Sequence, residues 1–503
     1  MVTTAHTMLF HARPDLRNSN LALSRKRIVP LIVATALFME NMDATVISTS
    51  LPAIATDIGT NPLALKLAVT SYLLSLAVFI PASGWTADRF GARRVFCAAI
   101  VIFILGSIGC AFARSLEGFV FARILQGIGG AMMTPVGRLV LVRSVDKREL
   151  VGAMAWVTVP ALIGPIVGPP LGGFITTYAS WPWIFLINLP IGLLGFVLAM
   201  RFIDPVRSEH LDRFDGAGMV LSGLGVAGLA FGLSIAGLNL LLWPLVTALI
   251  AAGAIFMTAY VIHAKNVAAP VLDFSLLSLP TMRAGVYGGF LFRMGIGSLA
   301  FLLPLMLQLG FGYNSFHSGL ITFATAVGAL GMKTVASRAI ERFGFRSVLV
   351  ADAIISAAFL AACAAFTPST PIFVMTGILL VGGFFRSLQF TCINTVAYAE
   401  IDPPRLSRAT SLMSVQQQLA ISAGVAIGAL IVESTLHFKG TETITADDFW
   451  PAFLIVGAIS ASSAILFAQL PADAGAEMSG HRPVPLRKAE PIAAAETTDQ
   501  RMG

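Results

Sequence analysis

The chain has 503 residues, of which 56% are hydrophobic and only 12% are charged, and its formal net charge is +7. A soluble domain carries about 25% charged residues, so this composition excludes a water-soluble fold and makes lipid the main solvent. The basic residues lie in short loops between apolar runs, which argues against a nucleic-acid-binding surface. Disulfides and metal sites are not expected, because all four cysteines fall inside apolar runs: Cys97, Cys110, Cys363 and Cys392.

Fourteen apolar runs follow one another along the chain. Each has roughly 19 to 26 residues, enough to cross a hydrocarbon core of ~30 Å, and a backbone in lipid must satisfy its own hydrogen bonds as a helix. The sequence therefore predicts an all-α integral membrane protein with fourteen transmembrane helices. The runs are 28–50, 67–86, 95–113, 118–141, 151–176, 183–203, 216–236, 240–262, 284–309, 318–336, 348–366, 372–397, 409–432 and 449–468.

The loops at one side of these helices hold most of the arginines. This side is predicted to be cytoplasmic, with both termini there, since cytoplasmic loops are enriched in Lys and Arg. We expect a multi-pass protein of the cell (inner) membrane without a cleavable signal peptide, because the first run is too long and lacks a small-residue cleavage site. The basic residues of this side are Arg25, Lys26, Arg27, Arg89, Arg93, Arg94, Arg143, Lys147, Arg148, Arg201, Arg207, Arg213, Arg338, Arg342, Arg346, Arg405 and Arg408. The opposite side holds little beyond Lys66, Arg114 and Lys439.

Two short patterns occur twice. The charged turn Gly84–Arg94 is echoed 253 positions later by Ser337–Arg346, and Phe121–Gln126 is echoed 263 positions later by Phe384–Gln389. The sequence therefore predicts two parallel six-helix repeats with two inserted helices between them. This organisation is typical of secondary transporters, whose substrate site lies near the midplane between the repeats. The predicted boundaries are an N-terminal tail 1–27, a first bundle 28–203, an insertion 204–282, a second bundle 283–470 and a disordered tail 471–503.

Four motifs in this order resemble the major facilitator superfamily, specifically its fourteen-helix drug:proton antiporter branch. They are Met42-Asp43-Ala-Thr45 with the later Trp181–Pro190, the turn Gly84–Arg94, the stretch Arg123–Ala131, and the stretch Gly164–Gly173. Phe316–Gly319 and Gly331–Lys333 resemble a subgroup known in enterobacteria as multidrug resistance D-type. The chain departs from the branch at Ser48-Thr49-Ser50 and at Ala92, which affects substrate detail rather than fold.

The resemblance implies that the charged turn and its echo form a conformational latch. Its predicted residues are Gly84, Asp88, Arg89, Gly91, Arg93, Arg94, Glu341, Arg342, Gly344 and Arg346. In the resembled family the latch closes the cytoplasmic side when the transporter opens outward, and Asp88 would then face the stretch Arg408–Ser411. The alternative is a solvated positive loop with no such role.

The fifth run resembles the family's antiporter motif. Gly164, Gly168 and Gly172 recur every four residues and share one helix face, where they permit close approach of another backbone. Pro165 and Pro169 each remove a backbone donor and can bend the helix. The motif, which ends with Gly173, is predicted to be a pliable seam that helps the halves rock; the alternative is a plain tight-packing face.

Charged residues inside the membrane are the strongest functional candidates, because their burial in lipid is unfavourable. Glu40 and Asp43 share one face of the first run, and burial beside another acid favours the protonated form that proton coupling requires. Arg123 is the predicted counter-charge. The alternatives are a structural hydrogen bond between the acids and Thr45 or a neighbouring helix, and a purely structural Arg123 ion pair.

Arg293 and Arg386 lie near the midplane of the second half, where few acids could neutralise them. An unpaired arginine can grip a carboxylate or phosphate, so the pair predicts an anionic or zwitterionic substrate; the alternative is pairing with Glu40 or Asp43 across the halves. Asn41, Gln126 and Gln389 are predicted to complete the substrate site.

Together these features predict a proton-coupled antiporter that exports small organic molecules or drugs by alternating access. The alternative is a dedicated exporter of an anionic metabolite, such as an organic acid or a metal chelate. The chain lacks HExxH, GxSxG and Walker A motifs, so neither an enzyme nor ATP drive is expected. The expected partners are protons, a small-molecule substrate and the bilayer, with no cofactor, no metal and no nucleic acid, and the monomer is expected to function alone.

Overall fold

A computed structural model gives the fold. It describes residues 16–144, 163–164, 167–205, 214–235, 243–267, 270–332, 335–402, 405–441 and 443–476. The helices are α1 (Leu16–Val46), α2 (Leu51–Ile58), α3 (Lys66–Phe79), α4 (Ser83–Phe90), α5 (Ala92–Phe112), α6 (Leu116–Ser144), α7 (167–178), α8 (Trp183–Leu186), α9 (Asn188–Phe202), α10 (Gly216–Ile235), α11 (Trp243–Ala264), α12 (Pro280–Arg283), α13 (Gly289–Leu305), α14 (Ser315–Met332), α15 (Ala336–Ala362), α16 (Ile372–Val396), α17 (Leu406–Lys439) and α18 (Trp450–Phe467).

The described residues contain thirteen helical stretches that are long and apolar enough to cross a membrane. They correspond to every predicted run except the fifth. Most of that run, 151–162 and 165–166, lies outside the described residues, although 167–176 is helical. The all-α membrane fold is confirmed, and the first half (α1–α9) and second half (α13–α18) flank the two inserted helices α10 and α11.

Glycines in equivalent positions of the two halves interrupt the helical backbone in the same way. α4 ends at Gly91, whose φ is 93° and ψ 129°, and α15 contains Gly344 with φ 73° and ψ 160°. Only glycine adopts such a conformation without strain. The turn and its echo therefore share a backbone geometry as well as a sequence pattern, which supports the predicted duplication.

The helices end at two faces. We call the arginine-rich face the one that holds the α4–α5 turn, Gly344 of α15 and the start of α17. The arginine-poor face holds the turns α1–α3, α5–α6, α15–α16 and α17–α18. Asn61 caps the turn into α3 by accepting a hydrogen bond from the Leu63 amide at 2.8 Å, and Gly440 ends α17 in the left-handed conformation.

The two halves share one buried core at the arginine-poor face. Leu51 of the first half belongs to the same apolar cluster as Leu302 and Val432 of the second half. Towards the arginine-rich face the core divides. One cluster there, which includes Phe96, consists of buried first-half residues. The other, which includes Leu349, gathers second-half residues with parts of α3 and α10. Among the described residues the broadest apolar contact between the halves lies at the arginine-poor face, while α3 also packs against the second half towards the arginine-rich face.

Candidate functional site

Asp43 and Arg123 form a buried ion pair inside the first half. Arg123 Nη1 lies 2.7 Å from Asp43 Oδ2, and both side chains are almost fully buried. Arg123 also donates through Nε to the carbonyl of Ala68 at 3.3 Å, and its Cζ lies 4.2 Å from the ring centroid of Tyr72. The predicted counter-charge role of Arg123 therefore corresponds to a real contact between α1 and α6.

Polar side chains from two further helices complete this pair. Gln126 donates to Asp43 Oδ1 at 2.8 Å and accepts a hydrogen bond from Arg123 at 2.7 Å. Asn188 of α9 donates to the same Asp43 oxygen at 3.0 Å. Ser107 of α5 accepts a hydrogen bond from Gln126 at 2.9 Å. Both oxygens of Asp43 are thus occupied; its carboxylate joins α1 to α6 and α9, and Ser107 links α5 to this network through Gln126 and Asn188.

Glu40 lies one turn from Asp43 and is in a different environment. Its side chain is only half-buried, and it accepts a hydrogen bond from the Thr134 hydroxyl. Within the described residues no salt bridge holds Glu40, although the exposed guanidinium of Arg138 attracts its carboxylate. Of the two predicted proton-coupling acids, Glu40 is therefore the more accessible.

Arg293 of α13 is fully buried among neutral partners. Its Nη1 donates to Gln416 Oε1 and its Nη2 to Asn394 Oδ1, both at 2.7 Å, and its Cζ lies 5.4 Å from the ring centroid of Phe390. Its Nε has no hydrogen-bond partner within the described residues. The alternative pairing of Arg293 with Glu40 or Asp43 is not observed, so this guanidinium keeps its positive charge uncompensated.

Tyr398 lies between arginines of the two halves. Burial raises the pKa of this phenol, whereas a hydrogen bond with Thr410 and the positive charges of Arg138 and Arg293 oppose the shift. Arg138 belongs to α6 and Arg293 to α13. Arg138 of the first half is therefore close enough to the second half for its charge to act on Tyr398.

Four predicted substrate residues have contacts inside a single half. Asn41 donates to the carbonyl of Leu37 at 2.7 Å, and Gln126 belongs to the Asp43 network. Gln389 is buried and donates to the carbonyl of Leu349 at 3.1 Å. Arg386 lines a cavity whose walls all come from the second half. The role of these four residues in substrate binding stays a prediction. Arg293 is the predicted substrate residue whose side-chain partners are best defined.

The glycine face of α7 packs tightly on α1. A Cβ at Gly164 would lie 3.0 Å from the amide of Met42, and one at Gly172 only 2.4 Å from the carbonyl of Val46. A Cβ at Gly168 would meet the Thr45 hydroxyl at 2.1 Å. Tight packing of this face on α1 is thus observed, and the role of the motif as a pliable seam between the halves stays a prediction; Pro165 lies outside the described residues.

A different side of α7 meets the second half. A Cβ at Gly173 would lie 2.3 Å from the carbonyl oxygen of Ser315, and one at Gly319 would lie 2.3 Å from that of Pro169. The two helices therefore touch backbone to backbone near the arginine-poor face. Beside this contact the amide of Phe316 donates to Thr177 Oγ1 at 3.2 Å.

Polar contacts between the halves are also found at the arginine-poor face. Lys66 Nζ lies 3.0 Å from both carboxylate oxygens of Glu433, and the two side chains are only 0% and 12% exposed. Gln308 donates to the carbonyl of Thr49 at 3.0 Å. With the shared apolar core, these contacts hold the two halves together at this face.

The start of α17 contacts the segment that precedes α12. Arg408 lies 3.6 Å from Asp273 Oδ2, and Arg405 lies 3.5 Å from the same atom. In the α4–α5 turn Arg93 donates to the carbonyl of Ile203 at 3.3 Å. The predicted contact of Asp88 with the stretch Arg408–Ser411 stays a prediction.

Several residues of this arrangement were missed from the sequence. Lys66 was assigned to a loop but is buried, because it begins α3 rather than preceding it. Asn188 lies in the motif Trp181–Pro190. Its position as a polar residue within the sixth apolar run could have marked it as a buried hydrogen-bonding residue. Gln416 and Arg138 carry no local signal beyond being polar residues inside an apolar run.

Comparison with known proteins identifies relatives over most of the chain. The Major Facilitator Superfamily matches residues 33–288 and 285–495. A protein of Pectobacterium atrosepticum, provisionally named multidrug resistance protein MdtD, is 38% identical over 445 residues, which cover 88% of this chain and 95% of the relative. Its namesake in Yersinia enterocolitica is 38% identical over 452 residues, 88% of this chain and 95% of the relative.

Solved structures share the fold at low sequence identity. The crystal structure of the D-xylose–proton symporter superposes with a TM-score of 0.65 at 16% identity, covering 89% of this chain and 98% of that one. The nucleoside transporter NupG gives a TM-score of 0.61 at 15% identity, covering 88% and 98%.

Proposed function

The chain belongs to the major facilitator superfamily and is a transporter rather than an enzyme, and from that premise we propose that it is a proton-coupled antiporter which exports small organic molecules. Its relatives at 38% identity carry a multidrug resistance name. We assign the arginine-rich face to the cytoplasm by the positive-inside rule. The described conformation then faces inward, so a substrate would enter from the cytoplasm.

The observation that carries this proposal is the closed contact between the described parts of the two halves at the arginine-poor face. Lys66 and Glu433 join them at the arginine-poor face, whereas Glu40 and Arg138 on the other side stay accessible to solvent. Alternating access requires such a seal to open as another closes. A ligand shifts this equilibrium only through its different affinity for the two states.

Glu40 is the group that we assign to proton binding. It is accessible, whereas Asp43 is enclosed by Arg123, Gln126 and Asn188, an arrangement that suits it to fixing the geometry of α1. Proton entry supplies the driving force, roughly 2.3 kcal/mol per 100 mV of membrane potential and about 1.4 kcal/mol per pH unit. Substrate bound from the cytoplasm and a proton bound from outside would then favour opposite conformations.

Substitution of the two acids separates these roles. Glu40→Gln is expected to abolish substrate-induced proton release from inside-out vesicles while leaving the protein folded. Asp43→Asn is expected to reduce transport and lower thermal stability together, because removing one partner of a buried ion pair costs about 3–5 kcal/mol. The measurement is proton release with a panel of cationic and anionic compounds, beside Tm of the purified variants.

The control for this experiment is Glu117→Gln, since Glu117 is an exposed acid at the start of α6. Wild-type proton release is expected for this variant. Undiminished proton release by Glu40→Gln would exclude Glu40 as the proton carrier, and an absence of release from wild type with every compound would overturn antiport itself.

Arg293 favours a second candidate, a dedicated exporter of an anionic metabolite. Its guanidinium meets the neutral amides of Gln416 and Asn394 and no carboxylate in the described residues, so an anionic group could complete its coordination. If the protein exports a single anion and its expression protects cells against none of the drugs tested, the dedicated anion exporter is the correct function.

Arg293→Gln is expected to reduce export of anionic compounds at least tenfold, since loss of a charge-assisted hydrogen bond costs about 1.5–3 kcal/mol. Export of cationic dyes is expected to remain. The control is Arg283→Gln, which changes an exposed arginine ten residues earlier on the same span. If Arg293→Gln impairs cationic dyes and spares anions, the assignment of Arg293 to an anionic substrate is wrong.

A further inference from the structure

The cavity beside Arg386 lies at the position that the Asp43 network occupies in the first half. Its lining comes from α13, α15, α16 and α18, the first, third, fourth and sixth membrane helices of the second half. The Asp43 network uses α1, α5, α6 and α9, the same four helices of the first half. Arg123 and Arg386 correspond through the repeat at 263 positions, so each half holds one arginine in the same place.

The carboxylate that neutralises this arginine is present in only one half. The sequences around Pro52 and Pro304 align α1 with α13 and place Gly295 opposite Asp43. Gly295 and its neighbour Ile296 both line the cavity. No acidic residue is among the lining residues, so the space that the carboxylate fills in the first half is empty volume in the second.

The Arg386 guanidinium is left without a partner in the described part of the chain. It donates no hydrogen bond there and forms no ion pair, in contrast to Arg123 with its contacts to Asp43, Gln126 and Ala68. Arg386 is the fifteenth residue of the 25-residue helix α16, far from either end, where an uncompensated charge is unfavourable. Water could occupy the cavity but could not neutralise the charge.

We propose that this cavity binds one small inorganic anion, of the size of chloride, in the place of the missing carboxylate. The cavity measures about 20 Å³, and about 10–15 Å³ suffices for one water-sized particle. The hydroxyls of Ser356 and Ser460 line it together with the guanidinium and can donate to an anion. All lining residues of this cavity belong to the second half, so the proposed anion site does not depend on the proposed function.

Anion binding is tested on the purified full-length protein by thermal unfolding in chloride and in gluconate at equal ionic strength. A saturable rise of Tm with chloride is expected for wild type. Arg386→Gln is expected to remove this dependence. Arg293→Gln, the control at the fully buried arginine of the second half, is expected to keep it.

A second measurement needs no variant. Crystals of the wild-type protein soaked in bromide are expected to show one anomalous peak within hydrogen-bond distance of the Arg386 guanidinium. Equal Tm in chloride and gluconate together with no such peak would overturn the proposal. A chloride dependence that survives Arg386→Gln but is lost in Arg293→Gln would also overturn it, by placing the anion at Arg293.

Discussion

Replacement of Gly173 by leucine is expected to abolish transport without unfolding the protein. A Cβ at this position would lie 2.3 Å from the carbonyl oxygen of Ser315, so α7 and α14 could no longer meet at the arginine-poor face. Overpacking costs roughly 1–3 kcal/mol, and about 1.4 kcal/mol changes an equilibrium tenfold. The variant should therefore populate the conformation in which this face is open.

The distance between spin labels measures this shift directly. Thr56→Cys and Thr441→Cys place labels on exposed residues of the two halves near the arginine-poor face, and the four native cysteines are buried. The label distance is expected to lengthen in Gly173→Leu. Gly377→Leu is the control, because a Cβ there meets nothing within 4 Å; an unchanged distance in Gly173→Leu with normal transport would contradict the closed contact.

Loss of the Lys66–Glu433 pair is expected to have an effect of similar size. Lys66→Met leaves the Glu433 carboxylate buried without its cation, and breaking a buried pair in this way costs about 3–5 kcal/mol. Since the pair exists only while the halves meet at the arginine-poor face, that state is expected to become rare and transport to fall at least tenfold. The exchanged pair Lys66→Glu with Glu433→Lys should restore most of the activity.

Lys439→Met supplies the matched control for this experiment. Lys439 lies 2.5 Å from Asp448 at the same face, but both residues belong to the second half and Lys439 is 40% exposed. The buried Asp448 carboxylate keeps its hydrogen bonds from the amide and the hydroxyl of Thr445 when Lys439 is lost, and this pair does not join the halves, so transport should change little. If the exchanged pair and Lys66→Met are equally inactive, the contact between the two charges is not what holds the halves together.

The sequence predicted the fold well because membrane helices follow local rules. Length and hydropathy defined the spans, and the turn pattern around Gly91 predicted the equivalent turn at Gly344. The proximity of Asp43 and Arg123 was also predictable, since an arginine buried in lipid needs a counter-charge. Each of these predictions uses information that lies within a single helix or within one repeated motif.

Contacts between distant segments were not predictable in the same way. Lys66 and Glu433 are 367 positions apart, and no periodicity relates them. Lys66 was expected in a loop because a lysine at the edge of an apolar run is usually solvated. Similarly, the placement of Arg293 beside Gln416 and Asn394 depends on how three helices pack, which their individual patterns do not specify.

The backbone contact between α7 and α14 has a consequence for inhibition. In this conformation the described residues of the two halves meet at the arginine-poor face through the glycine contact of α7 with α14 and through the Lys66–Glu433 pair. If that face is extracellular, as proposed, a membrane-impermeant blocker added to intact cells must wait for the outward-open state. A competitive inhibitor designed for the inward-facing pocket would have to cross the membrane first, so its potency in cells should follow its permeability as closely as its affinity.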